Sequence, residues 1–599
     1  VRHSYDTSSE SNAALETEAL KAAAGQWASH DPDPATAAQL RALAADPEAA
    51  AELADSFAAT LQFGTAGLRA AMGPGPNRMN RVVVRRAAAG LAAHLLNLAQ
   101  GNGTESPYVP RAVVGFDARH NSDIFAQETA AIFTAAGIQT FLMPSALPTP
   151  VLAYAVRALH CEAGVMVTAS HNPPADNGYK VYLGSRAVAP EANGVQIVAP
   201  HDALIASAID AVSATPDAGD TSAIPLATSG WSVIGKDLTE DYIRAVSQLR
   251  DPAAFPERQL RIVHTSMHGV GHETALAVLH MAGFTDIHAV PEQSAPNPDF
   301  PTVSFPNPEE PGAMDLSFAL AHAVGADVVL ANDPDADRAA VGALDPSTGL
   351  WRKLHGDEVG ALLGAHLATR LGKAGHSTTD TATVPPVFAN SIVSSRLLAK
   401  IAASAGFNHV QTLTGFKWIS RVPNLSYGYE EALGYCVAPD LVRDKDGISA
   451  GLLIAEMAAD QKAQGLTLFD ALDDLAMAHG LHASDQMSVR VTSLPTLETL
   501  MAGLRRNPPT EFAGSTVVQF TDLSEGTPEL PATDGLLFLT EDATRVIVRP
   551  SGTEPKLKCY VEVLVPVADR KALTAAKATA QKALAAVAHD LKVALGIDA

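Results

Sequence analysis

Three short polar runs, each just beyond an apolar strand signal or a helix-ending glycine, hold the residues best suited to chemistry. Val165-Met166-Val167-Thr168 leads into Ala169-Ser170-His171-Asn172-Pro173, setting a hydroxyl nucleophile beside an imidazole that could take its proton or stand as a cation. The same run also fits a turn capped by Ser170 and Asn172 and closed by two prolines. Farther on, Asn177-Gly178 spells a tight turn that would fold Lys180 back toward Ser170, where an ammonium could hold phosphate or serve as acid or base. The second run is Asn332-Asp333-Pro334-Asp335-Ala336-Asp337-Arg338, after the strand Ala-Asp-Val-Val-Leu. Its alternate carboxylates can converge on a hard divalent cation and leave positions for phosphate or water. An acidic surface turn is the plainer reading, but three close carboxylates would repel one another without a cation. The third run, Tyr429-Glu430-Glu431-Ala432-Leu433-Gly434-Tyr435, follows Thr414-Gly415-Phe416-Lys417-Trp418. A carboxylate flanked by aromatics suits a sugar, and it equally suits a helix start with a solvated face.

Two further runs could cradle an anion. Gly64-Thr65-Ala66-Gly67-Leu68-Arg69 offers a hydroxyl and a guanidinium. Arg549-Pro550-Ser551-Gly552-Thr553-Glu554-Pro555-Lys556 adds hydroxyls and a Gly turn that directs backbone N–H groups inward. Each alone also reads as a hydrophilic hairpin. Their convergence matters because the 599-residue chain carries a formal charge of −23, from 42 basic and 65 acidic residues. That balance excludes nucleic acid and anionic lipid as partners, since both require clustered cations.

The elements that must position these runs follow one pattern, repeated three times: strand, loop, Ala-rich helix, Ala-Gly-(Ile/Phe), strand. The copies end their helices at Gly137, Gly283 and Gly406, a residue suited to the left-handed position that closes a helix. Strands alternating with helices imply βαβ units and parallel pairing. The expected architecture is α/β, with four domains around a central cleft: three related mixed α/β domains and a smaller C-terminal α+β domain. Residues 1–228 would hold a helical extension, broken by Asp31-Pro32-Asp33-Pro34, and the Ser170 domain. Residues 229–344 would carry the acidic run, 345–484 the sugar-facing run, and 485–599 the phosphate loop. Cys161, Cys436 and Cys559 lie far apart without a CxxC pair, so neither a disulfide framework nor a conventional zinc site is expected. No apolar run approaches about 18 residues, and the first residues lack the apolar stretch of a signal peptide. A cytoplasmic protein without a membrane partner is expected.

TASHNP with NGYK, DPDADR, GTAGLR, VVGFDAR and RPSGTEPK, spread over most of the chain beyond the amino-terminal extension, resemble the α-D-phosphohexomutase superfamily of phosphoglucomutases and phosphomannomutases. The resemblance implies that Ser170 is phosphorylated and that Asp333, Asp335 and Asp337 bind one Mg²⁺ together with phosphoserine 170. It places Arg69, His171 and Lys180 around the transferring phosphate, with Lys180 similar to the family's acid/base. Arg338 matches a substrate-contacting residue, and Arg549, Ser551, Gly552 and Thr553 match the loop gripping the non-reacting phosphate, with Thr65 also on the substrate side. The implied reaction interconverts the 1- and 6-phosphates of glucose or mannose, with glucose 1,6-bisphosphate as activator, in a monomer or weak dimer. One departure stands out. Where many bacterial members carry GEMSGH, an ungapped match gives EEALGY, so that Glu431 keeps the carboxylate while Leu433 replaces Ser and Tyr435 replaces His. With TGFKW, this resembles the branch of phosphopentomutases and glucose 1,6-bisphosphate synthases, and Lys417 becomes a candidate for the missing histidine's function. A bisphosphate synthase, a metal-dependent phosphatase and an inactive sugar-phosphate sensor are the rival readings.

Overall fold

The computed structural model describes residues 7–64, 67–100, 106–213, 219–373, 384–491, 494–551 and 556–597. Four sheets, one per domain, organise these residues. In the first three, a parallel core is followed by one antiparallel strand, and the same connection carries the candidate residues each time. In the first sheet Arg111–Phe116 pairs in parallel with Gln139–Leu142 and Ala163–Val167, and the chain then returns antiparallel as Asp176–Leu183. In the second, Arg261–Thr265 pairs in parallel with Asp286–Ala289 and Val328–Asn332 before Ala339–Asp345 returns. In the third, Val387–Ser391 pairs in parallel with Asn408–Thr412 and Leu425–Glu430, and Gly434–Cys436 returns. The loops between the last parallel strand and its return hold Ser170, the three aspartates and Glu431. All three therefore lie at carboxyl ends of parallel strands, where α/β folds place their sites.

The helices between these strands end as the repeat predicts. Gly137, Gly283 and Gly406 have φ of 85°, 101° and 73°. The fourth sheet is antiparallel throughout and begins with Leu481–Arg490, which pairs along its whole length with Lys556–Val565. Its other face is covered by the Lys/Ala helix Leu573–Ala594, so this domain is α+β.

The amino-terminal extension folds as Thr7–His30, Pro34–Ala45 and Ala50–Phe57. Asp33 stops the first break by accepting a hydrogen bond from the Ala35 N–H, with Pro34 at the first helical position, where its missing N–H costs nothing. Trp27, Leu40 and Leu53 are buried in the first domain's core. The helix Arg81–Ala99 is long and apolar enough to cross a membrane, the one such helix among the described residues. Its Val82, Val84, Ala87 and Leu91 are all buried in that same core. A second core runs without interruption through the second and third domains and the facing helix Thr149–Ala158 of the first. The helix Gly447–Ala463 is buried on all sides as far as Ala459 because it lies between the second and third domains, which accounts for its largely apolar sequence. The three cysteines are buried and unpaired.

Candidate active site

Ser170 sits in the left-handed region, φ 52°, at a tight bend after its strand. Thr168 Oγ1 accepts a hydrogen bond from the Ser170 N–H at 2.9 Å. Arg119 fixes the rest of the bend. This buried guanidinium donates to the carbonyls of Ser170 (2.7 Å), Asn172 (2.6 Å), Pro173 (2.8 Å) and Asp176 (3.0 Å). So held, the Ser170 Oγ points at the acidic run and donates to Asp333 Oδ2 at 2.6 Å. His171 Nδ1 lies 3.4 Å from the same Oγ. Burial, with Arg338 and Arg69 facing it, pushes the His171 pKa well down, so the ring is neutral.

Asp333, Asp335 and Asp337 are fully buried, and one carboxylate oxygen of each lies within 4.8 Å of the others. Lys180 Nζ donates to Asp335 Oδ2 at 2.6 Å and Asp337 Oδ2 at 2.8 Å, and Thr149 Oγ1 donates to Asp335 Oδ2 at 2.6 Å. Burial opposes the Lys180 charge, but the two carboxylates outweigh it and raise its pKa. Lys180 is a held cation here. Asp333 is driven well above the carboxylate range by burial and by its two acidic neighbours. Asp335 Oδ1 and Asp337 Oδ1 are buried without a hydrogen-bond partner. Crowded buried carboxylates with unsatisfied oxygens and an all-oxygen donor set fit a hard divalent cation.

The acidic loop is gripped from three sides. The Thr149 N–H donates to the Asp335 carbonyl at 2.9 Å and Val270 N–H to Pro334 O at 2.8 Å. From the third domain, Gly447 N–H donates to Ala336 O at 3.2 Å. Arg338 donates through its backbone N–H to Asp333 Oδ1 at 3.0 Å and bridges Gly434 of the third domain. Arg69 reaches the same bend from the first sheet's edge, where it lies opposite Gly178, and donates to Asn172 Oδ1 at 3.2 Å.

Two of the sequence expectations are corrected. Asn177-Gly178 forms no turn: both residues lie inside the strand Asp176–Leu183, opposite Ala70 and Arg69 of the strand Leu68–Ala71, and the Gly178 carbonyl accepts from the Thr168 N–H at 3.1 Å. A Cβ on Gly178 would fall 2.5 Å from Thr168 O, so the glycine serves close backbone approach. The turn is made instead by the Ser170 bend. Nor do Tyr429 and Tyr435 face a ligand, whereas Trp418 lines a cavity with Lys417. Tyr429 and Tyr435 are fully buried, stack on one another and donate to Asp357 Oδ1 (2.9 Å) and Gly356 O (3.2 Å). Leu433, in the left-handed region at φ 63°, also belongs to the core. Neither Leu433 nor Tyr435 forms an apolar wall for a sugar.

Glu431 keeps its carboxylate within the loop, where Oε2 accepts from Ser391 Oγ (3.1 Å) and Ser394 Oγ (2.9 Å). Lys417 and Arg549 meet elsewhere, lining a cavity of about 250 Å³ between the third and fourth domains. Burial, with Arg549 and Arg421 nearby, lowers the Lys417 pKa. The Ser551 N–H donates to Lys556 O at 2.7 Å, flanking the run expected to cradle phosphate. Thr65, Gly552 and Thr553 lie outside the described residues.

Four side chains around the triad were not singled out from the sequence. Arg119 follows a strand end in GFDAR, and Thr149 opens a helix. Lys445, in Arg-Asp-Lys-Asp-Gly, lies 3.3 Å from Asp337 Oδ2 and 3.4 Å from Asp444 Oδ1. Glu430 is buried near Lys445 and Arg338, and burial pushes its pKa up to about 7 against those two cations. The clustered charges of RDKDG were the available signal for Lys445.

Comparison with known proteins agrees with this geometry. Four family models match in order: the Phosphoglucomutase/phosphomannomutase alpha/beta/alpha domains I, II and III over residues 60–214, 240–345 and 355–476, and the C-terminal domain over 505–576. A Haemophilus influenzae protein named "Probable phosphomannomutase" is 45% identical over 486 residues, covering 81% of this chain and 93% of its own. The Homo sapiens phosphopentomutase is 36% identical over 581 residues, covering 90% and 91%. The solved structure of Paramecium pp63/parafusin, a phosphoglucomutase in its open form, shares the fold at a TM-score of 0.63, with 18% identity over 90% of this chain and 94% of that one. With four consecutive domains matched and a buried aspartate triad where the first three meet, the chain belongs to the phosphoglucomutase/phosphomannomutase superfamily and is a phosphosugar mutase.

Proposed function

We propose that the chain interconverts the 1- and 6-phosphates of glucose, mannose or both, through a phosphorylated Ser170 and a sugar bisphosphate. The observation that carries this reading is the Ser170 Oγ, 2.6 Å from Asp333 in a buried triad whose other members keep unpartnered oxygens. Asp333, Asp335, Asp337 and phosphoserine 170 would hold Mg²⁺, which supplies Lewis-acid stabilisation of charge on the transferring oxygens. Arg119 presets the bend, so no reorganisation of the nucleophile is needed at the moment of transfer. Arg69, Lys180 and Arg338 add positive charge around the phosphoryl group. A sugar hydroxyl attacks phosphorus, the bond from phosphorus to Ser170 Oγ breaks, and the hydroxyl proton passes to a neighbouring base. The bisphosphate then turns end for end and returns its other phosphate to Ser170, while Arg549, Lys417 and Ser551 hold the phosphate that is not reacting. Glu431 accepts from sugar hydroxyls.

The likeness to the phosphopentomutase over nearly the whole of both chains favours a second reading, in which ribose 1-phosphate becomes ribose 5-phosphate by the same steps. Initial rates with glucose, mannose and ribose 1-phosphates, with and without glucose 1,6-bisphosphate, separate the two. Net sugar bisphosphate formed from 1,3-bisphosphoglycerate would identify a synthase instead. Release of inorganic phosphate faster than isomer would refute the mutase mechanism for the site.

A further inference from the structure

The fourth domain's strand Arg545–Pro550 presents Arg545, Ile547 and Arg549 on one face, because side chains alternate along a strand. All three meet the third domain. Arg545 is buried and donates to the carbonyls of Ile392 (2.9 Å) and Ser394 (2.6 Å). Ile547 packs with Ile392, Val393 and Leu413. Arg549 lines the cavity with Lys417. Beside Arg545, its cross-strand partner Glu562 is also buried. Glu562 accepts from Ser395 Oγ (2.7 Å), the Arg396 N–H (2.8 Å) and His482 Nδ1 (3.1 Å), and its other oxygen lies 3.4 Å from Arg545 Nη2.

The other side of the same segment faces the sugar-reading loop. The Ser391 and Ser394 hydroxyls donate to Glu431 Oε2, and Ser394 Oγ accepts from the Glu431 N–H at 3.1 Å. Residues 391–396 are thus held by the fourth domain through the Ile392 and Ser394 carbonyls, the Ser395 hydroxyl and the Arg396 N–H, while the Ser391 and Ser394 hydroxyls hold Glu431. A largely buried polar network of this kind favours one geometry, because a shift of the segment would strand further polar groups. From Arg545 to Arg549 the strand spans about 13 Å, a fixed length.

We infer that Arg545 is a positioning residue that, through Ser394, sets Glu431 in register with Arg549, so that one strand fixes the distance between the held phosphate and the carboxylate reading the sugar. The inference rests on Glu431 as the sugar-facing carboxylate. Its test uses the full chain with Mg²⁺ and glucose 1,6-bisphosphate, measuring kcat/KM for glucose 1-phosphate and ribose 1-phosphate. The variants are Arg545→Lys, Ser394→Ala, Glu431→Ala and the double variants with Glu431→Ala. Ser394→Ala leaves the Arg545 grip on the backbone intact, and so stands even where Arg545→Lys fails to fold. Each of the three single variants is expected to lose about tenfold or more in kcat/KM. Inhibition of Ser394→Ala by inorganic phosphate should stay within about twofold of the unchanged enzyme. In the Glu431→Ala background neither partner should cost more than about twofold further, because the group they position is gone. If Ser394→Ala and Arg545→Lys keep wild-type kcat/KM while Glu431→Ala is impaired, or if their losses simply multiply in the doubles, the linkage is wrong and the network is only glue. A silent Glu431→Ala would instead remove the reading of Glu431 itself.

Discussion

Replacing Ser170 by Ala separates the two things this side chain does. In the fold, its hydroxyl makes one short hydrogen bond, to Asp333 Oδ2 at 2.6 Å. Losing such a bond costs about 1–3 kcal/mol of stability. The left-handed backbone at φ 52° adds nothing to that loss, since Ser and Ala both carry a Cβ and meet the same clash. The Arg119 bonds go to main-chain carbonyls and survive the change. In the reaction, by contrast, no other hydroxyl stands in for a covalent nucleophile. Deleting one costs on the order of 10⁴-fold or more in turnover, or about 5 kcal/mol or more of barrier. Turnover should therefore collapse while the thermal midpoint moves only slightly. Ser170→Gly sharpens the contrast: glycine recovers about 1 kcal/mol of left-handed strain, so it should be at least as stable as the Ala variant and equally inactive. The assays are isomer formation from glucose 1-phosphate, intact mass before and after glucose 1,6-bisphosphate, and thermal melting. Turnover of Ser170→Ala within about tenfold of the wild type, or phosphate still carried by that variant, would refute the phosphoserine assignment.

Chelation with EDTA should abolish activity and Mg²⁺ should restore it, because the triad offers only hard oxygen donors; full activity with Zn²⁺ but none with Mg²⁺ would contradict the site. Gly178→Ala should lower both the thermal midpoint and activity, since the new Cβ would press on backbone atoms, Thr168 O at 2.5 Å and Leu68 O at 3.0 Å, that cannot yield; an unchanged melt with full activity would disprove the close packing. His94 predicts an acid-side loss of stability. Burial, with His201 Nδ1 at 3.1 Å, pulls the His94 pKa down to about 4. The unfolded chain takes up that proton near pH 6.5 and the folded chain only near 4, so stability is full above pH 6.5 and falls as the pH drops between them. His94→Gln should flatten that part of the pH profile in urea unfolding, and an identical slope in both proteins would show that His94 does not titrate this way.

What could be read directly was local. A serine at a strand end, carboxylates at alternate positions and glycines closing three helices are patterns within a few residues, and the structure places all of them where βαβ units put them. The direction of a side chain at a loop was not local. Asn177-Gly178 has strong turn character, yet the strand Leu68–Ala71 pairs with it on one side and the Thr168 N–H donates to the Gly178 carbonyl on the other, and these bonds outweigh that preference. Tyr435 was expected among the aromatics flanking a sugar carboxylate, yet burial against Tyr429 turns it into the core. Arg119 is one basic residue among many until the chain brings four carbonyls from 51 to 57 residues later around its guanidinium. Lys445 meets Asp337 only because the third domain closes on the second. The sequence by itself supplied the candidate parts of the reaction, since the proposed nucleophile, cation site and phosphate cradle are each encoded in one short run. Tertiary structure decided which charges face which, because Coulomb and hydrogen-bond energies depend on separations of a few ångströms that long-range packing alone sets.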